Sequence, residues 1–535
     1  MLELALAVAV LSGPIIESFV EPRSKADLGF QRLAISGCIA GVLMMVIFIV
    51  SARPVFATAV AIVLMVSIAV VSNAKFGVLR EPLVFIDFAM LEEAAAHPGL
   101  FLPHVKIIPA LSIILSILLG IWTAIVLETP VKILPGQWPG QQLAAIAGLL
   151  ALVFIGYRLA RSRLIGWGWR LRPSLDPRTD IGRFGLFGSL LLSVLLFADQ
   201  RGKEVVRQKN RRKLDRALPR KLPDIVAVQA ESFFDARRMD RRIDRRLLRS
   251  WDACGESALF RGRLHVPTWG AATQRTEFAF LTRLPEDALG LDRFNPYLRF
   301  AKQPVWSIAH ELRELGYRTI CVHPFFGTFF GRDRVLPNLG FDEFLDIASF
   351  QGARPFGPHI ADAWIGEKIA ALLEETEQPK FIFAITMENH GPWTKDRLPP
   401  VEIARARALA PGLPPEFLCY LRHLENTDAM IGRVASEIQR NKRDGVLCVF
   451  GDHVPGFSKL FEQANYSDPC SDYLIWRPDH DGKPLTRDAS ILELSDMLLS
   501  VAGIGPELPP EADPRPKMED VRRPPPSTQP SSALP

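Results

Sequence analysis

Hydrophobic positions divide this chain in two. Before about residue 200 they form long, nearly uninterrupted runs; after it, short apolar runs alternate with amphipathic stretches. Runs 33–51 and 54–72 each have the length of a bilayer-spanning helix, roughly 20 residues. The short turn Ser51-Ala52-Arg53-Pro54 joins them. Residues 1–20 are apolar but carry Glu3, Pro14 and Glu17, and they lack the basic start and small-residue cleavage site of a signal peptide. They are read as a first, imperfect membrane helix. Runs 107–127 and 141–160 predict two further spans. The fifteen-residue run 184–198 is short for one, so five or six spans remain open.

Two segments of this half are not purely apolar. Residues 73–105 place Arg80, Glu81, Asp87, Glu92 and Glu93 among aliphatic and aromatic residues. This reads as a segment at the membrane interface or as a loop. The basic stretch 201–221 reads as a juxtamembrane linker, either a solvated helix or a surface for anionic lipid. Five spans with the amino terminus inside, or six with it outside, put the second half outside the cytoplasm. The Arg-rich stretch 158–183 favours six by the positive-inside rule, and the basic linker opposes it.

From Pro223 the period changes. Strands are predicted at 224–230, 318–323, 380–387 and 445–450, and helices at 305–316, 361–375, 417–439 and 490–501. Such alternation predicts a mainly parallel sheet covered on both faces. From about Gly505 the chain is Pro-rich and without core-forming residues, a disordered tail by composition. The expected organisation is a multi-span helical membrane domain over 1–200, a linker over 201–222, an α/β domain over 223–504 and a tail over 505–535.

Composition changes this picture little. A formal net charge of +5 is modest and local, and it does not point to nucleic acid. The six cysteines show no paired spacing and read as mostly buried thiols, with a Cys254–Cys470 bridge left open. Abundant Ala and Arg hint at a GC-rich Gram-negative genome.

The candidate chemistry lies at the predicted strand ends, where open α/β sheets bind ligands. Glu231 follows the strand at 224–230, His390 the strand at 380–387, and Asp452-His453 follow the strand at 445–450. Thr273 sits where a small-residue loop, Trp269-Gly270-Ala271-Ala272, becomes a helix. An adjacent Asp and His after a glycine turn suit a divalent cation, with Glu231 as a third ligand and the Thr273 hydroxyl as a fourth. A coordinated hydroxyl becomes a nucleophile at neutral pH. Arg332 offers a fork for phosphate oxygens, with a salt bridge to Asp333 or Asp342 as its ordinary alternative. His323 and His390 offer hydrogen bonds to the same anion. Glu277 is expected to fix the turn after Thr273, and His265, His310, His359 and His423 read as structural or surface residues.

The ordered set of motifs is more specific than any one of them. Glu231 after a strand, Thr273 in Thr-x-x-x-Glu-Phe-x-x-Leu-Thr, His323 with Arg332, Asn389-His390-Gly391-Pro392 and Gly451-Asp452-His453 occur in this order. Over about 223–503 the chain resembles the lipoteichoic acid synthase and phosphoglycerol transferase branch of the alkaline phosphatase/sulfatase superfamily. The resemblance implies a sulfatase-like α/β domain and Glu231, Thr273, Asp452 and His453 as ligands of a manganese-type ion, with magnesium or zinc as alternatives. Thr273 would also be the nucleophile, and His323, Arg332 and His390 would hold the glycerophosphate. It further implies phosphatidylglycerol as donor, an envelope glycan as acceptor and a bacterial inner-membrane location with the catalytic domain on the periplasmic side. Two positions depart from the family pattern: Phe325 stands where an aspartate is usual and Phe330 where a tryptophan is. No Cys/Ser-x-Pro-x-Arg motif lies near Thr273, which argues against sulfate-ester hydrolysis. The alternatives are a phosphoethanolamine transferase and, in another class, an inactive membrane-anchored glycan-binding protein.

Overall fold

The structure is a computed structural model that describes residues 1–22, 29–101, 139–200, 218–375 and 377–505, with isolated residues between 112 and 131. Most of the basic linker (201–217), the Pro-rich tail after residue 505 and most of the run 107–127 lie outside the described residues.

The first half is helical. Helices α1 (Leu2–Glu17), α2 (Phe30–Ser51), α3 (Pro54–Leu79), α4 (Pro139–Arg170) and α5 (Pro177–Gln200) follow in order. Among the described residues three helical stretches are long and apolar enough to cross a membrane: Phe30–Ser51, Pro54–Leu79 and Pro177–Phe197. The run 184–198 lies within a longer helical stretch that begins at Pro177 and is broken at Gly185. Small residues let α1 and α2 approach closely: a Cβ on Gly13 would lie 2.4 Å from the Ser36 carbonyl oxygen. Glu17 is fully buried among them. Arg32 pairs with it at 3.0 Å and the Ser36 hydroxyl donates to it at 2.9 Å. Helix α5 breaks at Gly185, whose φ is +75°. The break frees the Leu186 amide, which donates to the Glu17 carboxylate at 2.9 Å, so the kink has a named cause.

The second half is a layered α/β domain. Its strands are β1 (Asp224–Ala230), β2 (Ala258–His265), β3 (Arg318–Val322), β4 (Glu343–Leu345), β5 (Lys380–Ile385), β6 (Gly445–Gly451), β7 (Ser471–Trp476), β8 (Leu485–Thr486) and β9 (Ala489–Ser490). They form one nine-stranded sheet in the order β8-β2-β7-β6-β1-β5-β3-β4, with β9 also on β2. The five strands from β6 to β4 pair in parallel, as do β8 and β9 with β2, while β7 runs antiparallel to both β6 and β2. The sheet is mainly parallel, as the alternation predicts. Central strand β1 is buried throughout. Val226 and Val228 face one apolar layer, which includes Tyr420, Leu424 and Ile431 of α8 (Pro415–Arg440) and Ile365 and Ile369 of α7 (Asp362–Glu374). Ile225 and Ala227 face the other, with Phe278 and Phe280 of α6 (Thr273–Thr282) and Leu494 and Leu498 of α9 (Ile491–Val501). A strand buried on both faces needs this continuous apolar sequence.

Strand order decides where the chemistry falls. β6, β1, β5 and β3 are consecutive neighbours, so Asp452, Glu231, His390 and His323 emerge along one edge of the sheet.

Candidate active site

Each side chain at that edge is set by local backbone. Ser232 follows Glu231 with φ +54°, a left-handed conformation uncommon for a non-glycine residue. This sharp turn aims the Ser232 amide at Asp452 Oδ1 (2.8 Å) and lets its hydroxyl donate to Glu231 Oε1 (2.9 Å). Asp452 Oδ1 also accepts from the His453 amide at 2.8 Å. On the other side, Gly270 (φ +71°) and Ala272 (φ +69°) bring the chain into α6. Thr276 in the first turn of α6 then donates to the Asp452 carbonyl at 2.8 Å, tying the helix to the β6 loop.

The result is a convergence of lone pairs. Glu231, Asp452 and His453 each present a ligand atom within 4.8 Å of the others, and all three are buried. His453 Nδ1 contacts the Val454 carbonyl at 3.0 Å. A proton on Nδ1 for that bond leaves Nε2 as a bare acceptor, 3.2 Å from Asp452 Oδ2 and 3.5 Å from Glu231 Oε1. Neither Nε2 nor Asp452 Oδ2 has a hydrogen-bond partner. Burial, and then repulsion from Asp452, push the Glu231 carboxyl far above the carboxylate range; burial raises Asp452 as well. Buried acceptors aimed at one another are costly unless something positive sits among them. This donor set fits a divalent cation. The Thr273 hydroxyl lies 3.3 Å from Glu231 Oε2, at the amino end of α6, where helix amides favour negative charge.

The other candidates line the same space. His323 holds the Ile385 carbonyl through Nδ1 at 3.1 Å, and its buried Nε2 is unpartnered. Burial and then nearby Arg332 hold its pKa well below the usual range, so the ring is neutral. Arg332 does not take Asp333 or Asp342. It forks onto Glu277, with Nε at 3.1 Å and Nη2 at 2.8 Å, leaving a buried Nη1 without a partner. Glu277 thus steadies the guanidinium as well as the helix, and the Tyr297 hydroxyl donates to the same carboxylate. His390 contacts the Gly391 carbonyl through Nδ1 at 2.7 Å. His265, 3.3 Å from Cys470, and His310, stacked on Trp306, take part in ordinary structural contacts.

Several residues were not legible beforehand. Arg397 donates to the carbonyls of Glu388 (2.7 Å), Pro392 (3.0 Å) and His390, and so holds the loop that carries His390. His359, read as structural or surface, packs its ring 6.0 Å from that of His390. His423 pairs with buried Glu388 at 2.8 Å. All six cysteines are free, and Cys254 and Cys470 are not bridged. Cys38 is exposed on α2, unlike the other five.

These side chains open onto a cavity of about 880 Å³. Thr273, His323, Arg332, His390 and His453 line it together with residues of the first half of the chain: Val71, Ala74, Lys75 and Val78 of α3, then Glu81, Ile86, Asp87, Met90 and Leu91. The segment 73–101 runs from the end of α3 through short helical turns over 85–101, and several of its residues contribute to the lining of that cavity.

The family model named Sulfatase matches residues 223–504. A capsular polysaccharide biosynthesis protein, RkpI, of Rhizobium meliloti (strain 1021) is 29% identical over 449 residues, 80% of this chain and 78% of the relative. A putative cyclic beta-1,2-glucan modification protein of the same strain is 26% identical over 244 residues, 46% of this chain and 37% of the relative. Among solved structures, the integral membrane lipooligosaccharide phosphoethanolamine transferase A of Neisseria meningitidis covers 94% of each chain at 15% identity, with a TM-score of 0.55, a likeness of fold. Apolar helices, a mainly parallel sheet, a buried Glu–Asp–His set at its edge and a family match over more than half its length together show that this chain belongs to the sulfatase family, as a membrane-anchored member.

Proposed function

We propose that the protein transfers phosphoglycerol from phosphatidylglycerol to an envelope glycan, on the periplasmic side of a bacterial inner membrane, through a covalent intermediate on Thr273. The observation that carries this reading is the shared cavity. Thr273 stands in it at a helix amino terminus, 3.3 Å from Glu231, and apolar side chains of the membrane anchor contribute to its lining. A soluble phosphoester needs no apolar wall beside the nucleophile; a phospholipid does. The glycan acceptor is supported by the two Rhizobium relatives, one named for capsular polysaccharide biosynthesis and the other for cyclic glucan modification.

Glu231, Asp452 and His453, with the Thr273 oxygen, would hold a divalent cation, for which manganese is proposed. When bound it lowers the pKa of a ligated hydroxyl and neutralises phosphoryl charge. The chain's own residues do the rest. Thr273 Oγ attacks phosphorus, diacylglycerol leaves, and phosphoglyceryl-threonine forms. An acceptor hydroxyl then attacks the same phosphorus and frees Thr273. Arg332, through its unpartnered Nη1, is placed to hydrogen-bond the phosphoryl oxygens, and the bare Nε2 of neutral His323 is placed to accept from a hydroxyl of the substrate. Arg397 holds the loop that carries His390, which would contact the substrate from the β5 side. Phosphatidylethanolamine is the competing donor for the same machinery.

The test is turnover of labelled phosphatidylglycerol by the full-length protein with manganese, followed by mass spectrometry of the peptide containing Thr273. Diacylglycerol release with a phosphoglycerol adduct on Thr273 is expected. Thr273→Ala should lose at least about a thousandfold in rate, the scale seen when a nucleophile is removed, while keeping its melting temperature. Release from phosphatidylethanolamine alone would reassign the headgroup, and an active Thr273→Ala enzyme would remove the covalent step.

A further inference from the structure

The end of α3 is pressed against the nucleophile loop. A Cβ on Gly270 would lie 2.3 Å from the Val78 carbonyl oxygen, so the two backbones touch. The Ser458 hydroxyl donates to the Gly77 carbonyl at 2.8 Å. The Arg80 guanidinium lies 3.7 Å from the centroid of the Trp269 ring. These contacts come from the residues that precede Thr273 in the loop and from the loop after His453.

The strongest link is ionic. Arg275, two residues after Thr273, is 7% exposed in the first turn of α6. A cation there opposes the helix dipole, so it needs compensation. Its two acidic partners are Glu81 at 3.0 Å and Glu286 at 2.7 Å. Glu286 is 42% exposed and screened by solvent, whereas Glu81 is 17% exposed. The better-buried counter-charge therefore comes from the segment that follows α3. Lys75 of α3 fixes Glu81 at 2.8 Å and reaches Asp87 at 2.7 Å. Two cations and two carboxylates thus alternate from the anchor to the helix of the nucleophile, and losing Glu81 leaves Arg275 with only its solvent-exposed partner Glu286.

We infer that Glu81 is a positioning residue of the active site: held by Lys75, it clamps Arg275 and thereby sets the first turn of α6 and the Thr273 hydroxyl. The membrane anchor in this arrangement shapes the catalytic geometry as well as holding the domain at a surface. The inference rests on the reading of Thr273 as nucleophile for its kinetic part only.

The experiment uses the full chain in lipid nanodiscs and compares wild type, Glu81→Gln and Glu81→Asp. Hydrogen exchange of the peptide spanning 270–278 is measured beside that of β1 and β6. Glu81→Gln is expected to speed exchange at 270–278 at least tenfold, leave β1 and β6 unchanged and fall back toward wild type in Glu81→Asp. With donor lipid, kcat should fall by about tenfold to a hundredfold, the range a small misplacement costs, and KM should change less than about twofold. In an Arg275→Met background, Glu81→Gln should add no further loss. If Glu81→Gln fails to fold, Arg275→Lys, which keeps the charge and loses the fork, should show the same local opening. Wild-type exchange at 270–278 in these variants, or kinetic losses that multiply in the double mutant, would overturn the inference. Local opening in a protein that turns over no phosphatidylglycerol would uphold the clamp and overturn the donor.

Discussion

Single residues here are governed by what burial does to charge. Asp224 opens β1 and is almost fully buried. Its Oδ1 accepts the Lys380 amide at 2.8 Å, and its Oδ2 has no partner. Burial outweighs that hydrogen bond and the nearby Lys380 and Arg443, and pushes the carboxyl up to about 6. The unpartnered oxygen is where the proton sits. A carboxyl whose pKa is higher folded than unfolded stabilises the fold while protonated. That contribution is complete below about pH 4, the unfolded value, and is lost as pH rises through about 6. Wild-type stability from this group should therefore decline across that window, by on the order of 2–3 kcal/mol. Asp224→Asn, which keeps a neutral donor at Oδ2, should flatten the decline in urea denaturation between pH 4 and 7. An unchanged slope would mean that the carboxylate is tolerated there.

Elements show which parts of the molecule a sequence can announce. Glu231, Asp452, His453 and Thr273 were legible because each stands at the border of an apolar run, where periodicity itself marks a strand or helix end. Most predicted elements fell within one or two residues of their observed limits, such as α7 at Asp362–Glu374 and β5 at Lys380–Ile385. β2 was not legible: Arg261 and Arg263 interrupt its apolar pattern, and pairing with β7 is what makes it a strand. Arg397, His359 and Glu81 were illegible for another reason. They lie in segments without periodicity, and their roles arise from contacts across 5 to 194 residues of chain. The loop into α6 offers a test at this scale. Gly270→Ala combines a positive φ, costing on the order of 1 kcal/mol, with a clash against the Val78 backbone. Lower thermal stability together with slower donor turnover is expected, and a variant that matches wild type in both would show that α3 and the loop separate freely.

The whole molecule should respond to its cation. Glu231, Asp452 and His453 come from two adjacent strands, and α6 is fastened to the same loop through Thr276. Ligation therefore ties the sheet to the helix. Chelation should lower the melting temperature of the intact protein, and manganese should restore it. The stabilisation should be about 2.7 kcal/mol when free ion is a hundredfold above Kd. Asp452→Asn should be nearly insensitive to chelator in the same thermal scan; an equal shift in that variant would place the responsive ion elsewhere.

The anchor also carries a record of its own assembly. Glu17 is met by Arg32 and Ser36 within 15 and 19 residues of chain, but by the Leu186 amide only after 169. During synthesis the acidic side chain can thus be neutralised by the hairpin of α1 and α2 while most of the anchor is still unmade. The broken turn at Gly185 then arrives at a receptor already charged and waiting. The ion pair joins neighbouring helices and the Leu186 amide brings a distant one to the same carboxylate, so a single buried acid ties the two ends of the anchor together.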